Sequence, residues 1–158
     1  MAIEIERKFL VNKEKWNASA KPQPKYFRQG YLHAEPHKTI RVRQTSTEGF
    51  LTIKGISEGA SRIEFEYEIP VLEAAELLNS FAISELSKNR YELHYADKLW
   101  EVDEFLGDNE GLIVAEIELT FEDEAFELPE WAGQEVTSDE RYYNSSLAEK
   151  PFKKWELS

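Results

Sequence analysis

The strongest constraint on the fold is an alternation of charged and apolar side chains that begins with the first residues of the chain. In residues 1–11, Glu4, Glu6 and Lys8 occupy every second position. Side chains at such positions project from one face of an extended strand, so this stretch predicts a strand with an ionic face. The opposite face is apolar except for Arg7. A single strand of this kind usually lies at a protein surface with its charges in water.

The same alternation returns in strand-like stretches along nearly the whole chain. They are predicted at residues 25–34, 39–44, 50–54, 62–69, 87–96, 98–105 and 112–121. Most carry pairs of charges of one sign, whereas a solvated face usually mixes signs with Thr, Ser and Gln. The acidic positions are Glu4, Glu6, Glu64, Glu66, Glu68, Glu101, Asp103, Glu116 and Glu118, and the basic ones are Lys8, Arg41, Arg43, Lys54, Lys88 and Arg90. When each strand is considered alone, an antiparallel sheet with one solvated face remains the alternative interpretation.

Few helices are predicted. Residues 71–80 have apolar side chains at helical spacing, and a capping sequence at 137–139 predicts a final helix that runs through Leu147. Residues 55–61 predict a loop, and residues 122–138 an acidic, irregular segment. Within the second predicted strand, Gly30 indicates a bulge or a close approach of another backbone.

Many antiparallel strands with few helices tend to close into a barrel, because closure removes exposed strand edges. With the ionic faces inward, such a barrel encloses a polar tunnel, and helices or a second subunit must cover its apolar exterior. Buried charges cost several kcal/mol per ion unless they are paired, and crowded carboxylates raise one another's pKa. Carboxylates beside Arg and Lys therefore fit a hard divalent cation, Mg²⁺ or Mn²⁺, together with a phosphate-bearing anion.

Composition narrows the class of protein. The chain has 158 residues, which suits a single domain over residues 1–158. Its net charge of −12 disfavours nucleic acid as a partner, and the absence of cysteine excludes disulfides and thiol chemistry. No apolar run approaches the ~20 residues of a membrane span and no signal-peptide pattern is present, so we expect a cytoplasmic protein with no membrane partner.

Taken together, the motifs resemble those of the CYTH superfamily, the triphosphate tunnel metalloenzymes. The residues that carry the resemblance are EIERK (4–8), RQGYL (28–32), RVRQ (41–44), the lysine of TIKG (Lys54), EFEYEI (64–69), KNRY (88–91), EVDEF (101–105), AEIEL (115–119) and VTSDERYYN (136–144). They cover almost the whole chain as a single CYTH domain and are most similar to the short bacterial members that hydrolyse inorganic triphosphate. The resemblance implies a mainly β (α+β) fold: an eight-stranded closed antiparallel β-barrel around a charged tunnel, with a few helices outside.

The resemblance also implies roles for individual residues. Divalent metal would be held by Glu4, Glu6, Glu116 and Glu118, assisted by Asp103 or Glu101 and by Glu64 or Glu66. Triphosphate would be bound by Lys8, Arg41, Arg43, Lys54 and Arg90. Arg141 would close one tunnel end, although Glu140 stands before it where the family pattern leads us to expect a basic residue. Two catalytic residues compete: Tyr31 as proton acceptor and Lys88 as the group that activates water.

The reaction implied is attack of water on a terminal phosphoryl group, which requires mainly positioning and charge neutralisation. A Tyr or Lys base has an ordinary pKa near ~10, so we expect an alkaline rate optimum. Three alternatives remain: a class IV-type adenylate cyclase, a thiamine triphosphatase, and a non-catalytic polyphosphate or nucleotide sensor. The short chain mildly disfavours a nucleoside pocket, and an anion sensor has little use for nine acidic residues. Outward apolar faces leave room for a homodimer.

Overall fold

The computed structural model of the protein describes residues 3–157. The nine strands are β1 (Ile3–Val11), β2 (Lys25–Glu35), β3 (Lys38–Gln44), β4 (Gly49–Glu58), β5 (Ser61–Ile69), β6 (Ser84–Tyr95), β7 (Lys98–Phe105), β8 (Ile113–Glu118) and β9 (Ala132–Glu135). The three α-helices are α1 (Lys13–Ala18), α2 (Val71–Phe81) and α3 (Asn144–Glu149). Short 3₁₀ turns lie at Gly107–Asn109, Glu140–Tyr142 and Phe152–Leu157. The first two positions of the first predicted strand lie outside the described residues.

Eight strands close into a barrel. They pair antiparallel in the order β5-β4-β3-β2-β6-β7-β8-β1, and β1 closes the circle by pairing with β5. Along β1, the stretch Glu6–Leu10 pairs with β8, while Ile3–Ile5 pairs with β5. Further along β1, the short β9 pairs with Phe9 and Val11. The predicted closed antiparallel barrel is confirmed.

Three boundaries differ from the sequence prediction. The stretch predicted as a loop at 55–61 is mostly strand, because β4 continues to Glu58. A ninth strand lies inside the segment predicted to be irregular. The predicted final helix is divided into a 3₁₀ turn and α3, which Tyr143 separates in extended conformation.

Gly30 lets α2 pack directly against the barrel wall. The register of β2 shifts between Tyr31 and His33, which is the predicted irregularity. A Cβ atom at Gly30 would lie 2.7 Å from Cδ2 of Leu78 and 2.9 Å from the carbonyl oxygen of Ser84. Only glycine fits such a contact without a shift of the helix or of β6.

The hydrophobic core lies outside the barrel, in three clusters. One joins α1 to the β1, β7 and β8 wall and contains three tryptophans, with Trp131 in edge contact with Trp16 at 5.2 Å and with Trp100 at 5.7 Å. A second lies under α3 around Leu147, and the third lies under α2 around Leu78. Apolar burial therefore fixes the outside of the wall and leaves the inside to the ionic faces.

One part of the exterior stays uncovered. It consists of Ile3, Ile53, Ile63, Phe65 and Tyr67, which are 38–56% exposed and which we call the uncovered apolar face. Its members are neighbours across the sheet, since Ile3 pairs with Ile63 and Ile53 with Phe65. None of the helices within residues 3–157 is long and apolar enough to cross a membrane.

Candidate active site

The inward faces of the barrel strands line a cavity of about 220 Å³. It brings together almost all of the site residues predicted from the sequence: Glu4, Glu6, Lys8, Tyr31, Arg41, Arg43, Lys54, Glu64, Glu66, Lys88, Arg90, Glu101, Glu116 and Glu118. The inward orientation of the ionic faces follows from the period-two alternation, because the opposite side chains pack into the three external clusters. Two nominated residues, Asp103 and Arg141, do not line the cavity.

Glu4 and Glu64 form one carboxyl pair in the cavity. Burial raises the pKa of Glu4, which is hydrogen-bonded to Glu64. Although burial also acts on Glu64, its pKa is lowered because it accepts from Glu4 and faces Lys54 and Arg41. Nζ of Lys54 lies 3.2 Å from Oε1 of Glu4 and 3.3 Å from Oε2 of Glu64, so one ammonium serves both carboxyl groups.

Glu6 and Glu116 form a second, deeper pair. Burial, followed by the charge of Glu116, raises the pKa of Glu6 well above its ordinary value. Burial opposes ionisation of Glu116 too, but Lys8, the hydrogen bond to Glu6 and Arg90 together hold its pKa well below the ordinary value. The two pKa values are shifted in opposite directions, so Glu6 is the member of the pair that is protonated more readily. Nearby Glu118 is exposed, and its pKa is raised by partial burial and by Glu4.

The two carboxyl pairs fit a divalent cation. Among residues 3–157, no three carboxylates or histidines form a ready-made metal cluster. Mg²⁺ is commonly bound by one or two protein carboxylates and completes its shell with water and substrate phosphate oxygens. Glu6 and Glu116 both line the cavity, and their carboxyl groups offer such an ion hard oxygen ligands.

Arg41 and Arg90 are held in place by carboxylates. Arg41 donates from Nη2 to Thr52 and to Glu66, at 3.2 and 3.4 Å. Arg90 donates from Nε and Nη2 to both oxygens of Asp103, at 2.8 and 2.9 Å. These contacts fix the planes of the two guanidinium groups before any ligand arrives.

Lys8 and Arg43 differ from Arg41 and Arg90, because neither forms an ion pair with a carboxylate in the described part of the chain. Nζ of Lys8 donates to the carbonyl oxygen of Tyr142 at 3.2 Å. Arg43 donates to Oε1 of Gln29 at 3.4 Å and lies over the ring of Phe27. Burial, and then the nearby Arg41 and Arg90, lower the pKa of Arg43 to about 9. Buried cations without counter-ions make an anion-binding site.

Both candidate bases lie in the same end of the cavity. Burial first, and then Arg90 and Arg43, lower the pKa of Lys88 to about 7 against the opposing charge of Asp103. Tyr31 is 3% exposed, and its hydroxyl oxygen accepts a hydrogen bond from Nε2 of Gln29 at 3.4 Å. Both side chains line the cavity, so their location alone does not decide which of them is the base.

The expectation that Asp103 faces the tunnel as a metal ligand needs correction. Asp103 is 1% exposed, and both of its oxygens are taken by Arg90, while Lys88 lies 2.8 Å from Oδ2. Asp103 is thus committed to two cations and does not face the cavity. The physical reason is the register of β6 and β7, which pairs Asp103 directly with Arg90.

The expectation that Arg141 closes the tunnel is also corrected. Its side chain is 65% exposed, donates to Asp139, and lies over the rings of Tyr142 and Trp155. The 3₁₀ turn directs Arg141 away from the barrel. Polar side chains without charge from the same C-terminal segment, Thr137, Tyr143, Asn144 and Ser145, line the cavity instead.

Sequence reasoning missed two kinds of lining residue. Arg62 donates to the carbonyl oxygen of Gly55 at 2.7 Å and to Thr39 at 3.1 Å. Its position two residues before Glu64 on the same strand face was the signal that could have found it. Asn144 lies in the VTSDERYYN motif but carries no charge, so the face-by-face search for charges passed over it.

Comparison with known proteins places the chain in a family. A CYTH domain model matches residues 2–150. The chain belongs to the CYTH domain family. Two curated relatives are similar along nearly their whole length and are both named inorganic triphosphatase. The one from Acetivibrio thermocellus is 47% identical over 154 residues, 97% of each chain. The one from Nitrosomonas europaea is 39% identical over 150 residues, 92% of this chain and 96% of the relative.

Solved structures agree with the CYTH assignment. The crystal structure of the inorganic triphosphatase NE1496 is similar with a TM-score of 0.63 and 35% identity, over 92% of this chain and 97% of that one. A putative adenylate cyclase from Bacillus halodurans reaches a TM-score of 0.62 at 21% identity, over 78% of this chain and 84% of that one. At that level of identity the second comparison supports the fold alone.

Proposed function

We propose that this CYTH protein hydrolyses inorganic triphosphate to diphosphate and phosphate with the help of a divalent cation. The observation that carries the proposal is the juxtaposition, in one cavity, of carboxyl pairs and of cations, two of which, Lys8 and Arg43, form no ion pair with a carboxylate of the described residues. The two curated relatives named inorganic triphosphatase, at 47% and 39% identity, support the same activity.

The cavity residues divide into three groups in this proposal. The cation, Mg²⁺ or Mn²⁺, is held by Glu4, Glu6, Glu116 and Glu118, with Glu64 and Glu66 assisting. The phosphates are held by Lys8, Arg41, Arg43, Lys54 and Arg90. When bound, the cation neutralises charge on the phosphate oxygens and orients them. Asp103 positions Arg90 and Lys88, because its oxygens are fully used by them.

The hydrolysis needs a base beside the cations that hold the phosphates. Water attacks a terminal phosphorus, the bond from that phosphorus to the bridging oxygen breaks, and diphosphate leaves with the electron pair. The proton of the attacking water passes to Lys88 or Tyr31. Lys88 is the better acceptor at mildly alkaline pH, since its pKa of about 7 leaves the amine largely uncharged there. The surrounding arginines supply the charge stabilisation that phosphoryl transfer requires.

The size of the cavity favours a compact substrate. At about 220 Å³ it is smaller than the ~300–1,000 Å³ of pockets that hold drug-sized ligands. Inorganic triphosphate has no organic group to accommodate, whereas ATP and thiamine triphosphate would have to leave theirs at the mouth. This is the feature that ranks inorganic triphosphate above the other two substrates.

A substrate panel tests the proposal. Phosphate release is measured from inorganic triphosphate, ATP and thiamine triphosphate, each with Mg²⁺, with Mn²⁺ and with EDTA. We expect release from inorganic triphosphate at the highest kcat/KM and none in EDTA. Formation of cyclic AMP, or a higher kcat/KM for either organic substrate, would overturn the choice of substrate. Binding of triphosphate without turnover would indicate a sensor.

We also propose that two copies of the chain associate through the uncovered apolar face. Two chains of net charge −12 repel each other over most of their surfaces. The five residues of the uncovered apolar face are uncharged and adjacent in the sheet, so two copies can meet there without apposing like charges from these side chains. A two-fold pairing of this face with itself buries it on both partners.

A further inference from the structure

Nζ of Lys88 lies between two oxygen atoms from different parts of the chain. Oδ2 of Asp103, on the neighbouring strand β7, is 2.8 Å away. Oδ1 of Asn144, at the first residue of α3, also lies 2.8 Å away and accepts a hydrogen bond from Nζ. The barrel therefore supplies one partner of this nitrogen and the C-terminal segment supplies the other.

The amide of Asn144 is itself held in orientation. Nε2 of Gln29 donates to the same Oδ1 atom at 3.2 Å, and Gln29 is fully buried. Oε1 of Gln29 in turn accepts from Nε of Arg43. Two donors on one oxygen determine which way the amide faces, because the NH₂ group of Asn144 has no lone pair to offer them. Asn144 therefore presents an acceptor to Lys88 in a fixed direction.

An uncharged lysine amine has two N–H bonds and one lone pair. A lone pair directed at a carboxylate oxygen 2.8 Å away would be repelled, so one N–H faces Asp103. The other N–H is taken by Asn144. No third acceptor lies within hydrogen-bond distance of Nζ among the described residues, and Lys88 lines the cavity. The remaining direction is left to the lone pair.

We propose that Asn144 is a positioning residue that fixes the lone pair of Lys88 as the acceptor of the proton of the attacking water. The inference rests on the proposed triphosphatase function and goes beyond it in two respects. It selects Lys88 over Tyr31 as the base, because the hydroxyl of Tyr31 receives only a long hydrogen bond of 3.4 Å from Gln29. It also means that proton transfer to Lys88 depends on the position of the C-terminal segment, which carries Asn144.

The first test is Asn144→Leu, which keeps the size of the side chain and removes the acceptor. We expect kcat for inorganic triphosphate to fall by roughly 10–100-fold, since misplacement of a reacting group by about 1 Å costs up to ~100-fold. KM should change less than about twofold, because general-base positioning acts in the transition state. Asn79→Leu is the matched control, since Asn79 is an exposed asparagine that accepts from Arg28 and should leave kcat unchanged.

The second test shows whether Asn144 acts through Lys88. In a Lys88→Ala background, adding Asn144→Leu should lower kcat no further, because the two residues act as one unit. Asn144→Asp keeps an oxygen acceptor in place and should recover most of kcat when each variant is assayed at its own pH optimum. Should Asn144→Leu fold poorly by thermal unfolding, Asn144→Ala removes the same acceptor and should give the same selective loss of kcat.

The outcomes separate this inference from the proposed function. Wild-type chain that releases no phosphate from inorganic triphosphate overturns the proposed function, and the inference with it. Active wild type, with Asn144→Leu within about twofold of its kcat, overturns the inference alone. So does a rise in KM at constant kcat, which would make Asn144 a substrate ligand, or a further loss of kcat in the Lys88→Ala background.

Discussion

Glu6 and Glu116 lie close enough inside the barrel for each to shift the pKa of the other, although each faces a different partner across the β1–β8 ladder. Glu118 is the partner of Glu6 in that ladder, and Lys8 is the partner of Glu116. The inward side chains thus meet along the strands as well as across them. The proposal puts a divalent cation beside these two carboxyl groups.

Glu6→Gln should separate the fold from the reaction. The amide NH₂ of glutamine can donate to Glu116 as protonated Glu6 does, but it cannot replace a carboxylate as ligand of the cation. We expect kcat to fall by more than about 100-fold, since even outer-shell partners of metal ligands cost ~10–100-fold. Tm without ligand should stay within a few degrees of wild type. Glu14→Gln, on exposed helix α1, is the control, and an active Glu6→Gln enzyme would remove Glu6 from the cation site.

Arg43→Met should weaken substrate binding and raise the thermal stability. Burial lowers the pKa of Arg43 to about 9, so keeping this group charged in the folded state costs stability at all pH values below about 9. Removing that charge should raise Tm at pH 7, by about 2–4 °C for each kcal/mol relieved. KM for triphosphate should rise by about 10-fold or more through loss of a charge-assisted contact. A lower Tm in a thermal unfolding scan would contradict this explanation.

The pH–rate profile should report Lys88. Its pKa of about 7 means that the amine is protonated and unable to accept a proton below that pH, and is uncharged above it. We expect kcat to rise between about pH 6 and 8 and then to level off. The rising limb should persist in Tyr31→Phe, and kcat should be lost in Lys88→Arg, whose guanidinium stays charged. A rate that keeps increasing towards pH ~10 would instead indicate a base of ordinary phenol or amine acidity.

Arg62→Ala and Arg141→Ala should behave differently. Arg62 lines the cavity with hydrogen bonds to neutral acceptors only, so its charge is available to a phosphate. Its loss should raise KM for triphosphate by roughly 10-fold, since a hydrogen bond to a charged group is worth about 1.5–3 kcal/mol. Arg141 is exposed and pairs with Asp139, so Arg141→Ala should leave kcat and KM within about twofold. Steady-state kinetics on both variants show whether Arg62 or Arg141 contacts the substrate.

Phe65→Glu should dissociate the proposed dimer. A carboxylate in the uncovered apolar face would oppose its own copy across the two-fold axis. We expect sedimentation velocity to give a dimer for wild type and a monomer for the variant. Leu99→Glu is the matched control, because Leu99 and Phe65 are both 42% exposed and Leu99 lies on a different part of the wall. Monomeric wild type at micromolar concentration would contradict the assignment of this face.

The strands of the barrel could be predicted from sequence because a period-two alternation is a local signal that survives without knowledge of neighbours. The missed β9 has no such pattern in Ala132–Glu135. Its place beside β1 depends on burial of Trp131 and on the contact of Arg7 with Glu135, at 2.6 and 2.8 Å. Both are long-range contacts that a single sequence does not reveal.

The charged lining could be predicted for the same reason, but the pairing within it could not. Glu101 and Asp103 follow the same alternation, yet Glu101 lines the cavity and Asp103 is taken by Arg90 and Lys88. The difference arises from register between β6 and β7 and from the shorter side chain of Asp103. Neutral residues such as Asn144 carry no charge pattern, so only the folded chain identifies them.

The barrel wall divides the labour of the chain between its two surfaces. Packing that holds the fold lies on the outer surface, in the clusters around Trp100, Leu147 and Leu78, while the chemistry occupies the inner surface. A substitution in the lumen consequently leaves these clusters intact, and one in the outer clusters meets no reacting atom. Such a scaffold is open to the evolution of new specificities, because residues that recognise a substrate can be exchanged while the architecture around them stays intact.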